Sequence, residues 1–441
     1  MAMQQEKPST WWRRYLAFPL IWKFGIALVA GLIAGLVIGP PIAVLQPLGD
    51  LFLRLLQMLV VPLVMVTLVA GASSISPARL GRVGGKIFGF YLVTSAMAIC
   101  LGLALALLVR PGTGLDMPDE GEETPESAPP VTETLLNIVP ENPFQAMAEG
   151  NVLAVIFVAI AVGLALGVML HSDTPRLRDL GEQARRLVDA GVEIAFLVVR
   201  GVLEYGPIGV FALIAVVIGE TGADALVPMA ALTGVVYGGV ALQILFYSVL
   251  LLLFGVSLRR FFAAARDPMV TAYVTRSSSG TLPVTIRAAE KLGIKEGVYG
   301  FSLPLGATIN MDGTALYVGA STLFVANIAG VDLSLVQMIE IVAVGVLASI
   351  GTAGVPGAGL IMLSLVITQA GLPFAPVALV AGIDALLDMA RTMCNVTGDL
   401  VGTRIVAKTE PGMVEEPEPD TGTHPPDATP PEHESPPVSG D

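Results

Sequence analysis

Apolar residues run in long unbroken blocks along this chain, with short polar connectors between them. The blocks at 24–38, 51–69, 87–109, 152–170, 190–218 and 232–256 are each read as a helix crossing a hydrocarbon layer of about 30 Å. Uninterrupted runs of this kind predict a helix bundle, because a membrane barrel shows short alternating strands instead.

The connectors carry a record of sidedness, since Lys and Arg in short loops stay on the cytoplasmic side. Lys7, Arg13, Arg14 and Lys23 put the N-terminus inside; GPPIAVLQPLGD has no such residue; Arg79, Arg82 and Lys86 mark a return to the cytoplasm. The alternation continues through Arg176, Arg178, Arg185 and Arg186 and reaches SLRRFFAAAR, again inside.

There the pattern breaks. The segment DPMVTAYVTRSSSGTLPVTI has Arg259, Arg260 and Arg266 on one flank and Arg287, Lys291 and Lys295 on the other. Both ends are cytoplasmic, and RSSSGTLP is too polar to cross lipid as a helix. A re-entrant hairpin is predicted, because irregular backbone is tolerated at membrane depth only where protein or a wet cavity covers it. After residue 297 an apolar region containing NMDGT runs outward to about 330. Residues 331–371 then form a second predicted hairpin around GTAGVPGAG, entering from the opposite face, and 374–406 return the chain to the cytoplasm.

Each hairpin precedes a helix bearing an Asn-x-x-Gly element: SSSGTLP precedes Asn310-Met311-Asp312-Gly313-Thr314, and GTAGVPG precedes Asn395-Val396-Thr397-Gly398-Asp399. The opposite entry makes this an inverted repeat. Paired Gly/Pro-interrupted apolar segments point to the midplane site of a secondary transporter.

Composition agrees with an integral membrane protein. Of 441 residues, 54% are hydrophobic and 14% charged, and the mean hydropathy is +0.75. The formal net charge of −13 is concentrated in an acidic loop at 116–133 and in a Pro-rich tail from Glu410, read as disordered. It therefore describes no binding face, and no nucleic-acid partner is expected. Cys100 and Cys394 lie in apolar runs and are expected to be buried thiols. No cleavable signal is expected in the first apolar run. Neither HExxH nor a P-loop GxxxxGK[ST] occurs, and TGD at 397–399 lacks the first glycine of an intramembrane aspartyl protease signature. An enzyme is not expected.

The chemistry lies in IDALLDMARTMCNVTGDL. On a helix, Asp384, Asp388, Arg391, Asn395 and Asp399 fall within an arc of roughly 80°. A charge at the bilayer centre costs at least ~2.5–3.5 kcal/mol, so such a stripe faces the bundle interior and is a functional candidate. An internal Asp388–Arg391 ion pair is one reading; it leaves Asp312 and Asp399 without cationic partners. The other is that cations arrive from outside. Asp312, Asp399, Asn310 and Asn395 offer hard oxygen ligands for an alkali cation, Arg391 a planar fork for a carboxylate, and Asp388 a partner for an ammonium. The tip Ser277-Ser278-Ser279 supplies donors for a second carboxylate.

At RSSSGTLP, NMDGTALY, GTAGVPGAG and DMARTMCNVTGD the chain resembles the glutamate transporter homologues, the dicarboxylate/amino acid:cation symporter family. It is most similar to the archaeal and bacterial sodium-coupled aspartate/glutamate type. The resemblance implies an all-α integral membrane fold of eight transmembrane helices and two re-entrant helical hairpins with inverted repeats, assembled as a homotrimer. It belongs in a prokaryotic plasma membrane with both termini cytoplasmic. It divides the chain into an N-terminal segment and first two scaffold spans (1–85), the third span (86–110), the acidic extracellular loop (111–142), scaffold spans four and five (143–222), the rest of the transport domain (223–410) and the acidic tail (411–441). The transport domain would slide as an elevator.

By the same resemblance Arg391 binds the substrate's side-chain carboxylate and Asp388 its amino group, with Thr392, Asn395, Ser278, Thr314, Val355 and Gly359 completing the pocket. One sodium ion would use Gly306, Asn310, Asn395 and Asp399. A second would use Thr308, Ser349, Ile350 and Thr352, and a third Tyr91, Thr94, Ser95, Asn310 and Asp312. Val318 stands just after NMDGTALY, where mammalian members carry a proton-binding glutamate, so proton countertransport by that route is not expected. The tail has no counterpart. The rival reading is a C4-dicarboxylate or proton-coupled glutamate carrier of the same fold.

Overall fold

A computed structural model describes residue 18 and residues 20–73, 77–115, 139–149, 151–349 and 357–414. The acidic loop at 116–133 and the tail beyond 414 lie outside the described residues. Within them the chain is helical, with no strand and one isolated bridge between Ile294 and Val414.

The helices in chain order are α1 (Leu20–Ile38), α2 (Gln46–Ser73), α3 (Pro77–Val109), a short α4 (Pro143–Glu149), α5 (Val152–Leu170), α6 (Pro175–Thr221) and α7 (Leu226–Leu253). They continue with α8 (Leu258–Thr275), α9 (Ser278–Lys291), α10 (Glu296–Ile309), α11 (Asp312–Ile328), α12 (Leu335–Ser349), α13 (Ala358–Gln369) and α14 (Val377–Thr409). Among the described residues, the helical stretches Pro40–Ser73, Arg82–Val109 and Pro175–Leu253 are long and apolar enough to cross a membrane.

Local sequence sets the ends. Asn151 caps α5 by accepting from the Ala154 amide at 3.2 Å, and Gly222, with φ 71°, ends α6 in a conformation that a side chain disfavours. Arg185 of α6 donates to the Ala70 carbonyl at 3.1 Å and the Ser73 hydroxyl at 2.8 Å, satisfying the last turn of α2.

The helices pack in two sets. In one, α1, α2 and α5 pack on each other or on α6, and Lys23 of α1 meets Glu204 of α6 at 2.5 Å. In the other, α3 and α7–α14 pack together, and Lys86 of α3 meets Glu410, just past α14, at 2.6 Å. Where the sets touch, the surfaces are apolar: Leu203 lies against Gly357, and Ile214 and Leu28 lie against Gly382.

α11 and most of α14 are buried on every side, so these helices are apolar all round except where they carry chemistry. The outside inverts the pattern of a soluble protein; Leu108, for example, is 80% exposed. Cys394 is buried as expected, but Cys100 is exposed on α3. An apolar run in a membrane helix has an outward face, so its residues need not be covered by protein.

Helices α3 and α11 cross closely because each presents a glycine to the other's backbone. A Cβ on Gly102 would fall 2.1 Å from the Leu316 carbonyl oxygen, and one on Gly319 would fall 2.6 Å from that of Ile99. Gly102→Ala should therefore lower stability by about 1–3 kcal/mol. Gly85→Ala, on the same helix with open space at its Cβ position, should change it by less than about 0.5 kcal/mol or raise it slightly. Thermal melts of the detergent-solubilised variants check this, and equal melting of the two would contradict the packing.

Candidate functional site

The site is built around an interrupted helix. α10 ends at Ile309, Asn310 leaves the helical conformation with φ −94° and ψ 89°, and α11 restarts at Asp312. No side chain at Met311 caps the new helix. The first amides of α11 are capped from another element: Asn395 of α14 accepts from the Gly313 amide at 2.7 Å and the Thr314 amide at 3.4 Å. Its own amide nitrogen donates to the Thr314 hydroxyl at 3.2 Å, and its backbone carbonyl accepts from Asn310 at 3.3 Å.

Two carboxylates stand on either side of this break. Asp312 accepts from Ser95 of α3 at 2.7 Å and from the hydroxyl of Tyr247 on α7. Asp399 accepts from the Asn310 side chain at 2.9 Å, and its carbonyl accepts from Tyr91 at 3.5 Å. Thr94 donates to Asn310 at 3.5 Å. A Cβ on Gly306 would lie 2.5 Å from the Asp399 carboxylate and 2.7 Å from the Tyr91 hydroxyl, so the absence of a side chain there keeps the acids accessible to each other's ligands. Asp312 and Asp399 are 0% and 2% exposed, and neither forms an ion pair among the described residues. Burial of an unpaired carboxylate is costly.

One turn along α14 the guanidinium of Arg391 is 0% exposed. It donates to Asp384 at 2.7 Å and to Asp388 at 2.9 Å, and it lies 3.9 Å above the ring of Tyr317. The internal Asp388–Arg391 pair is thus formed, with Asp384 as an additional partner. Two loops converge on Asp388. Arg276, between α8 and α9, approaches to 3.9 Å, and the Gly357 amide, just before α13, donates at 3.3 Å. Thr392 donates to the same carboxylate at 3.4 Å. A Cβ on Gly359 would fall 2.6 Å from the Arg391 guanidinium, so α13 approaches as closely as a bare backbone permits. Ser278 is buried at the start of α9, whose cap is Ser277.

The sequence-predicted residues fall into three groups. Tyr91, Thr94, Ser95, Gly306, Asn310, Asp312, Asn395 and Asp399 are gathered around the helix break, where Thr314 also bonds Asn395; Arg391, Asp388, Thr392 and Gly359 meet at the guanidinium. Thr308 and Ser349 instead donate within their own helices, to Leu305 at 2.9 Å and Val346 at 2.7 Å. Ile350, Thr352 and Val355 lie outside the described residues.

Four contributors were not assigned from sequence. Tyr247 comes from α7, four residues after the buried Gln243, a polar pair on an otherwise apolar span. Tyr317 follows Thr314 by three residues on α11 and so shares its face. Asp384 lay on the predicted stripe without a role. Arg276 opens the RSSSGTLP motif, whose donors were sought in its serines.

By formal count, two guanidinium groups stand against four carboxyl groups inside the bundle, two acids more than the cations present. The oxygen-rich surroundings of Asp312 and Asp399 are of the kind that hard cations prefer.

Residues 20–409 match the sodium:dicarboxylate symporter family. The chain belongs to that family. It is a multi-pass membrane transporter, not an enzyme. It is 33% identical over 408 residues to the proton/sodium-glutamate symport protein of Geobacillus stearothermophilus, covering 89% of this chain and 94% of that one. It is 33% identical over 424 residues to the proton/glutamate-aspartate symporter of Escherichia coli, covering 90% and 94%. A C4-dicarboxylate transport protein of Sphingopyxis alaskensis is 32% identical over 427 residues, covering 92% and 91%.

The Tyr247 hydroxyl is a donor to a buried carboxylate, so Tyr247→Phe should lower stability by about 1.5–3 kcal/mol. Tyr205→Phe loses a bond to the Leu48 carbonyl on an exposed surface and should lose less, about 0.5–1.5 kcal/mol. Melting both variants in sodium-free buffer checks the ranking.

Proposed function

We propose that this protein is a secondary active symporter that takes up an acidic amino acid, L-aspartate foremost, coupled to inward sodium flux. The observation that carries the reading is the fully buried Arg391 beside Asp388, at the point where the loops of α8–α9 and α12–α13 both reach α14. Arg391 offers a fork for a side-chain carboxylate. Asp388 provides the negative partner for an α-ammonium, and Ser278 and Thr392 stand among the further polar contacts.

A zwitterionic guest that carries an extra carboxylate competes for the groups that now hold one another. Its entry requires Arg391 to release at least one aspartate. Sodium ions neutralise the excess at Asp312 and Asp399, which ties the energetic penalty of buried charge to ion occupancy. The set around Tyr91, Thr94, Ser95, Asn310 and Asp312 and the set around Gly306, Asn310, Asn395 and Asp399 are the assigned ion sites. A third, at Thr308, Ser349, Ile350 and Thr352, rests on the family resemblance alone.

The division into helix sets supports an elevator mechanism. The scaffold is formed by α1, α2 and α4–α6, within 1–85 and 143–222, and the moving part by α3 from about residue 86 onward together with α7–α14, within 86–110 and 223–410. The apolar surfaces between them can slide without breaking a buried hydrogen bond at Gly357 or Gly382. Eight transmembrane helices, two re-entrant hairpins at α8–α9 and α12–α13, cytoplasmic termini and a homotrimer complete the reading.

A C4-dicarboxylate carrier is the second reading, favoured by relatives of that name at nearly the same identity. Asp388 discriminates: with no ammonium to pair it, its charge repels succinate.

Uptake of labelled aspartate into proteoliposomes tests the coupling. A sodium gradient should drive accumulation, and accumulation driven by a proton gradient alone would overturn it. Arg391→Ala should weaken aspartate binding by about 2–5 kcal/mol, measured by calorimetry on the purified trimeric or monomeric fraction that still elutes as wild type. Asp388→Asn should shift the competition between succinate and labelled aspartate toward succinate, and an unchanged ratio would remove the assigned role.

A further inference from the structure

A second charged recess lies away from the site described above. A cavity of ≈580 Å³ opens where the α7–α8 connection, the end of α9 and the end of α14 meet, lined by Ser257, Arg260, Lys291, Arg404, Lys408 and Glu410 among others. That volume falls in the range of about 300–1,000 Å³ typical of small-ligand sites.

Its charges are not balanced from within. Glu410 is turned to Lys86 at 2.6 Å and Arg82 at 3.3 Å, and Lys291 pairs with Asp267 at 3.2 Å. Arg260, Arg404 and Lys408 have no ion-pair partner among the described residues. Arg404 carries the strongest signal. Its Nε and Nη1 are buried and have no hydrogen-bond partner among the described residues. A guanidinium serving only the carboxyl end of α14 would donate to its last carbonyl oxygens; these two nitrogens do not. Buried charged donors left unmade are costly, and the guanidinium fork matches a tetrahedral oxyanion.

We propose that this cavity is an anion site that binds a phosphate group, with Arg404 as the principal donor and Arg260 and Lys408 as flanking cations. The sidedness read from the basic residues places it at the cytoplasmic end of the bundle. There the phosphate comes either from an anionic lipid headgroup, which basic recesses between helices attract, or from free phosphate. The site shares no residue with the Arg391 or Asp312 centres, so it stands independently of the transport reading.

The test uses the purified full chain and its Arg404→Gln and Lys408→Gln variants. One arm titrates inorganic phosphate into detergent-solubilised protein by calorimetry. The other counts lipids retained in native mass spectra after reconstitution in phosphatidylcholine nanodiscs with or without phosphatidylglycerol. At least a tenfold weakening by Arg404→Gln in either arm is expected, and the arm in which it occurs names the source. Should Arg404→Gln fail to fold, a loss of threefold or more in Lys408→Gln decides, since that side chain is exposed. Aspartate binding, read separately, should not change. Equal binding by wild type and variants in both arms overturns the proposal.

Discussion

Placing a guanidinium where no solvent reaches is tolerable only if its charge is met on the spot, and Arg391 meets it twice, at Asp384 and Asp388. That arrangement fixes much of what surrounds it. The face of Tyr317 covers one side, α13 reaches in at Gly359 because nothing larger fits, and Arg276 and the Gly357 amide close on the remaining oxygen of Asp388. The polar centre is therefore assembled from elements that are far apart in the chain, α14 supplying most of the groups and each of the others one or two.

The apolar remainder of the molecule holds those elements at the required distances. α11 cannot approach α3 without Gly102 and Gly319, and only with that approach does Ser95 reach Asp312. α14 is buried along most of its length, so its charged stripe has no route to solvent through side-chain motion alone. The cost of burying charge, ordinarily an argument against such a sequence, here selects which helices must be central.

Much of this was legible in the amino-acid order because membranes penalise polar groups so heavily. The stripe from Asp384 to Asp399, the polar NMDGT element and the two segments rich in Gly, Ser and Pro all stood out against apolar surroundings, whereas the break at Asn310-Met311 was not read from them. What a linear reading could not assign was partner choice. Asp384 and Asp388 are both within reach of Arg391 on one helix face, and only packing decides that both are used. Tyr247 belongs to a span whose outward and inward faces are equally apolar, so its hydroxyl carried no directional signal. Cys100 illustrates the opposite error: hydrophobic surroundings in sequence did not mean coverage by protein. Ile350, Thr352 and Val355 fall outside the described residues, and their grouping with Thr308 and Ser349 rests on likeness to relatives.

Asn395 touches more of the centre than any other neutral side chain. It caps α11 through Gly313 and Thr314, receives Asn310 at its carbonyl, and sits one turn from both Arg391 and Asp399. A single residue thus ties α14 to the restart of α11 at a point midway along the helix between Arg391 and Asp399. Under the proposed function, occupancy on one side is felt on the other by a free energy that is the same in both directions. The two ligand populations would report on each other without any long-range relay.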